Sequence, residues 1–89
     1  FGMPIIEAQS VGLPVITSNS CSMPEVAGKG AHFVDPYSIE EIREGILKIM
    51  YEDRYRNQLI DAGYRNVIRF DLQRITYLYE TLYRKILSH

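Results

Sequence analysis

The chain has 89 residues, 46% of them hydrophobic and 24% charged, with 10 Lys+Arg against 11 Asp+Glu for a net charge of −1. That balance is ordinary for one small globular unit and excludes an intrinsically disordered chain, while the lack of any Lys/Arg block excludes a nucleic-acid surface. Cys21 is the single cysteine, which excludes an internal disulfide, and no run of about 18 apolar residues predicts a membrane helix; a soluble, cytoplasmic piece of protein is expected.

The first residues, Phe1-Gly2-Met3-Pro4-Ile5-Ile6-Glu7, read as a glycine-bearing turn entering a helix. Pro4 suits the first helical position, where its absent N–H is no loss. Ile5, Ala8, Gln9 and Val11 continue the helix, and Gly12 followed by Pro14 stops it. Glu7 is placed in the first turn. Pro14-Val15-Ile16-Thr17 predicts a short buried strand, and Ser18-Asn19-Ser20-Cys21-Ser22 a loop. Pro24–Ala27 reads as one helical turn ended by Gly28 and Gly30. Ala31-His32-Phe33-Val34 predicts a second strand, closed by Asp35-Pro36.

Beyond Asp35-Pro36 the pattern turns helical. Ser38 with Glu41 three residues later forms a capping box, and Ile39, Ile42, Ile46, Ile49 and Met50 follow at helical spacing. Asp53 is expected to open a further helix whose apolar side includes Tyr55, Leu59, Val67 and Phe70. Gly63 is expected to kink or divide it. Asp71 is expected to cap a last helix bearing Leu72, Ile75, Tyr79, Leu82 and Ile86.

This order predicts an α/β fold: a partial Rossmann-like parallel sheet followed by C-terminal helices. Two strands of four residues are not a self-sufficient sheet. Their continuous apolar character suits strands covered on both faces. Residues 1–37 form the βα segment and 38–89 the helical segment.

Four ordered blocks converge on one pattern: Phe1-Gly2-Met3-Pro4-Ile5-Ile6-Glu7-Ala8, Gly12-Leu13-Pro14-Val15-Ile16, Pro24-Glu25-Val26 and Val34-Asp35-Pro36. Together they resemble the retaining GT-B glycosyltransferases of family 4. Those enzymes carry a Glu, seven residues, Glu signature, read as Glu-Gly-Phe-Gly-Leu-Pro-x-x-Glu-Ala. Glu7 matches the second glutamate, and the first would fall two positions ahead of Phe1. The resemblance implies that the chain is the C-terminal half of a nucleotide-sugar-binding GT-B domain, lacking the acceptor domain and the basic pair that clamps the diphosphate.

The residues fit that role physically. Free N–H groups at a helix start, with the helix dipole, favour an anion, and Gly2 admits close backbone approach. The resemblance assigns donor binding to Phe1, Gly2 and Met3 through backbone amides, and the ribose diol to the Glu7 carboxylate, whose two acceptor oxygens match two vicinal hydroxyls. The competing reading of Glu7 is plain complementation of the helix dipole. Ser18, Asn19 and Ser20 stand at a strand's carboxyl end, the edge where open α/β sheets bind ligands. Turn chemistry explains them equally.

Other residues are read structurally. Glu25 belongs to a recurring turn, Cys21 has no partner in metal-like spacing, His32 is a core or edge histidine, and His89 is terminal. Arg43, Lys48, Arg54, Arg56, Arg65, Arg69, Arg74, Arg84 and Lys85 are expected on a solvated face. Tyr77, Tyr79 and Tyr83 cluster on the last helix, where either an interface or ordinary packing accounts for them.

The resemblance implies a parent enzyme, of the kind used in polysaccharide biosynthesis, that transfers a sugar with retention from a nucleotide-sugar substrate, with no other cofactor. Its expected partners are the donor, the N-terminal GT-B domain, and a second copy through strand edges or the last helix. Its relatives also suggest membrane association through the parent protein, and the isolated chain is expected to be inactive. The competing class is a non-enzymatic interaction module built on Ser38 to Ser88.

Overall fold

Helix α1 runs from Met3 to Ser10 and ends in a tight C-terminal motif. Leu13 N–H donates to the Ala8 carbonyl at 3.0 Å and Gly12 N–H to the Gln9 carbonyl at 3.2 Å, the paired bonds of a Schellman closure. Gly12 sits at φ 78°, which only glycine adopts cheaply. The structure is a computed structural model, described over residues 3–20 and 23–88. The expectations for Phe1, Gly2, Cys21, Ser22 and His89 lie outside the described residues.

After that turn come β1 (Val15–Ser18), α2 (Met23–Ala27) and β2 (Ala31–Val34). The strands pair in parallel, with Val15 opposite Ala31 and Ser18 opposite Val34. Alternate residues serve opposite faces. Val15 and Ala31 join Ile5 and Ala27 in the buried cluster, with Ala8, Met23, Val26 and Phe33 packed against it. Ile16 and His32 face the other way, toward Gly45 of α3 (Ile39–Tyr51). Helices therefore cover both faces, which is why the strands read as unbroken apolar runs. The α/β expectation with a partial parallel sheet holds.

Asp35 ends β2 in an Asx-type turn, its Oδ1 accepting Tyr37 N–H at 2.9 Å. Ser38 then caps α3, its hydroxyl accepting Glu41 N–H at 3.2 Å. Only half of the predicted capping box forms. The Glu41 carboxylate accepts from Asp35 N–H at 3.1 Å, because Ser38 N–H already donates to the Asp35 carbonyl at 3.0 Å.

The largest departure from expectation is α4, one continuous helix from Asp53 to Leu87. Gly63 does not divide it and Asp71 does not cap a new one. Gly63 is buried in the helix face, where a side chain would meet the Cβ and Cγ of Gln9. The residue answers a packing need and not a backbone one. At 35 residues the helix is about 52 Å long. Its first half packs through Leu59, Gly63 and Asn66, and every described residue from Asp71 onward is exposed. Tyr77, Tyr79 and Tyr83 are thus on an open surface, and packing against the rest of the chain does not account for them. No helix among the described residues is long and apolar enough to cross a membrane.

Candidate functional site

The orientation of α1 follows from Gln9. Its side chain is buried, with Nε2 donating to the Ala27 carbonyl at 2.9 Å and to the Gly30 carbonyl at 3.2 Å. Gly30 directly precedes β2, so the C-terminal end of α1 lies at the amino ends of the strands. The start of α1, at Met3, consequently lies toward their carboxyl ends. That is the edge carrying Ser18, Asn19 and Ser20. The topology brings Met3 and the serine loop to one side of the sheet, where helix starts and strand ends converge in α/β folds.

Glu7 is exposed on α1. It is the fifth residue of the helix, in the second turn, and the first turn holds no acid. The expectation of a first-turn carboxylate is corrected on this point. Macrodipole effects fade within one turn, so complementation of the dipole gives a poor account of this side chain. The Glu7 carboxylate makes no hydrogen bond to another described residue.

The serine loop is organised internally. Asn19 N–H continues the ladder by donating to the Val34 carbonyl at 3.0 Å. Ser18 Oγ accepts Ser20 N–H at 3.1 Å and shares a 2.5 Å hydrogen bond with Ser20 Oγ. The hydroxyls of Ser18 and Ser20 are therefore engaged with each other, as turn chemistry demands. Asn19 and Ser20 are both exposed. Among the described residues no group of three His, Cys, Asp or Glu side chains could hold a metal ion.

A polar network absent from the sequence reading holds this layout in place. Asn66 of α4 donates through Nδ2 to Gln9 Oε1 and to the Val26 carbonyl, both at 2.7 Å. Arg69 in turn donates from Nη2 to Asn66 Oδ1 at 2.7 Å and to the Glu25 carbonyl at 3.0 Å. Gln9 and Asn66 are 1% and 5% exposed, yet their polar groups are paired, as buried groups must be. The signal was present: Gln9 falls four residues after Ile5 on the same apolar stripe, and Asn66 three after Gly63. The residues are positional, fixing α1 against α2 and α4.

Arg69 is exposed, as expected of a solvated face, and its guanidinium also joins this network. Arg56 is similarly committed, donating from Nη1 to the Ile49 carbonyl at 3.0 Å and from Nη2 to Asp53 at 2.6 Å. His32 bears out its structural reading. Its Nδ1 lies 2.5 Å from Tyr55 OH, the rings meet edge-on at 88°, and Lys48 Nζ stands 4.1 Å above the Tyr55 ring. Burial, reinforced by the Glu52 carboxylate, pushes the Tyr55 phenol above its ordinary value.

The chain is 36% identical over 76 residues to the O-antigen chain mannosyltransferase B of Escherichia coli, covering 85% of this chain and 20% of that protein. It is 26% identical over 92 residues to the MMP alpha-(1->4)-mannosyltransferase of Mycolicibacterium hassiacum, covering 99% of this chain and 22% of that protein. The chain thus spans about a fifth of the length of these curated relatives. No solved structure matches it. Residues 1–66, which take in α1, both strands and the Gln9–Asn66 pair, match the family of glycosyl transferases group 1. The chain belongs to that family.

Proposed function

We propose that the chain forms the donor-binding edge of a retaining glycosyltransferase of the GT-B, family 4 kind. The donor is a nucleotide-diphosphate sugar, and the names of the two relatives favour mannose as the sugar moved. Backbone amides of Phe1, Gly2 and Met3 receive the diphosphate, and the Glu7 carboxylate accepts hydrogen bonds from the ribose hydroxyls. Ser18, Asn19 and Ser20 border the same pocket. No resident cofactor takes part.

The chemical demand is stabilisation of negative charge that builds on the departing diphosphate as its bond to the anomeric carbon breaks. Helix-start amides answer it because their dipoles are already oriented and need no reorganisation. The acceptor site belongs to the N-terminal GT-B domain of the parent and the basic pair to the Rossmann-like half upstream of the signature, and the parent works in the cytoplasm or at a membrane surface. Alone, the 89-residue chain binds donor weakly and turns none over.

The observation that carries this reading is an exposed Glu7 on a helix that starts at the carboxyl edge of a parallel sheet, inside the segment matched to the family. Titration of uridine, guanosine and adenosine diphosphates into the chain, followed by amide chemical shifts, tests it. Perturbation should centre on residues 2–7 and 18–20 and vanish in Glu7→Ala. If none of the nucleotides perturbs that edge, the assignment fails, and residues 38–88 are better read as an interaction module.

A further inference from the structure

We propose that the pocket between the α2–β2 turn and the first half of α4 binds a phosphate monoester. Gly28 and Lys29 line it from the turn, and Ala62, Arg65, Asn66 and Arg69 from the helix. The helical four fall at i, i+3, i+4 and i+7, the spacing of one face. Gly28 stands at φ 59°, and a Cβ there would lie 2.7 Å from Asn66 Oδ1. Only glycine therefore lets the turn close on α4 and bring Lys29 to the same pocket as the two arginines. The turn directly precedes β2, so the pocket lies at the amino edge of the sheet, opposite Ser18–Ser20.

Charge and size select the ligand. Half of the six lining residues are cationic, in a chain whose net charge is −1. Glu25, whose carbonyl meets Arg69, and Asp61, one turn before Arg65, form no ion pair with any of the three cations. Arg69 is instead held by neutral acceptors. Its Nε and Nη2 donate to Asn66 Oδ1 at 3.2 and 2.7 Å, and Nη2 also donates to the Glu25 carbonyl at 3.0 Å. These contacts leave its charge uncompensated, and Nη1 makes no hydrogen bond to a described residue. A guanidinium fixed in this way offers a planar fork to phosphate oxygens at little entropic cost. Lys29 and Arg65, both exposed, add mobile positive charge beside it. The pocket volume of 290 Å³ lies at the small end of the roughly 300–1,000 Å³ range of ligand sites. That suits a compact anion and not a nucleotide sugar. Glycerol 3-phosphate presents this chemistry in solution, and phosphatidic acid presents it on a membrane.

The test titrates glycerol 3-phosphate into the full chain while amide shifts are followed, with sodium chloride at matched ionic strength as the blank. Saturable shifts should centre on residues 28–30 and 62–69. Lys29→Gln and Arg65→Gln should each weaken binding about threefold, and the double variant about tenfold. Both side chains are exposed, so folding is retained, which circular dichroism checks. Arg69→Lys should also weaken binding although it keeps the charge, because the fork is lost. Co-sedimentation with phosphatidylcholine vesicles, with and without phosphatidic acid, identifies the source of the phosphate. Capture by phosphatidic acid that falls in the double variant assigns a lipid headgroup. Saturation by glycerol 3-phosphate without such capture assigns a free phosphate ester. Absence of both overturns the proposal, as does binding indifferent to the Lys29 and Arg65 variants. Shifts that chloride reproduces, or that stay within residues 3–7 and 18–20, overturn it equally.

Discussion

Asn66 reaches across 57 positions of sequence to donate a 2.7 Å hydrogen bond to Gln9, inside the contact between α4 and α1. The pair also holds the backbone of Val26, Ala27 and Gly30. One side-chain amide at each position therefore secures three separate elements, and the arrangement of the sheet depends on both.

Removing either partner should cost more than a surface change. Gln9→Ala removes a donor from each of the Ala27 and Gly30 carbonyls and one acceptor from the Asn66 amide, and Asn66→Ala removes the donor that Gln9 Oε1 and the Val26 carbonyl share. Each exposed need costs about 1–3 kcal/mol when it stays buried, so each single variant should lose about 2–4 kcal/mol. Urea denaturation of the singles and the double should give a coupling energy of about 0.5–3 kcal/mol. Strict additivity would show that the two amides act independently.

The glycines at the same contact should respond unequally. A Cβ on Gly30 would stand 2.5 Å from Gly63 Cα and 2.7 Å from Gly63 N, backbone atoms that cannot move aside. A Cβ on Gly63 would meet the Gln9 side chain at 3.2 and 3.3 Å and its Cα at 3.7 Å, all beyond the distance of a hard clash. Gly63→Ala also gains about 1 kcal/mol of helix propensity, which offsets part of an overpacking cost of about 1–3 kcal/mol. Gly30→Ala should therefore destabilise by at least about 1 kcal/mol more than Gly63→Ala, measured as denaturation midpoints.

Alkaline pH should expose the Tyr55 contact. The phenol is raised in the folded chain above its ordinary value of 10.0, by burial first and by Glu52 second. The folded state then holds the proton more tightly than the unfolded one. The corresponding stability is fully present below the unfolded value and is lost as pH rises through the folded one. Wild-type stability should fall above about pH 10, and Tyr55→Phe should flatten that fall while losing the His32 hydrogen bond. An unchanged slope in the variant would assign the loss to other groups.

Glu7→Ala separates binding from folding. Because Glu7 is exposed and stands in the second turn of α1, its removal should alter stability by no more than about 0.5 kcal/mol. Nucleotide-induced amide shifts should nevertheless disappear. A stability loss approaching about 1 kcal/mol without any binding change would restore the dipole reading of this residue.

Local chemistry made the strands, the Gly12 stop and the Ser38 cap legible, because each is written within a few neighbouring residues. The carboxyl-edge position of Ser18–Ser20 followed from the strand order alone. What escaped were features fixed by distant partners. Gly63 looked like a helix breaker until its neighbour across the contact, Gln9, was known. Asp71 looked like a cap because acids favour that position, yet a helix already under way has no need of one. Arg69 could not be distinguished from the other basic residues without the Glu25 carbonyl it meets.

An unbroken α4 also makes the chain a lever. Its far end stands free, while its near end grips the turn before β2 through Gly63 and Asn66. A rod gripped only in its first half carries its apolar tip well clear of the sheet, as a bracket holds a load away from its wall.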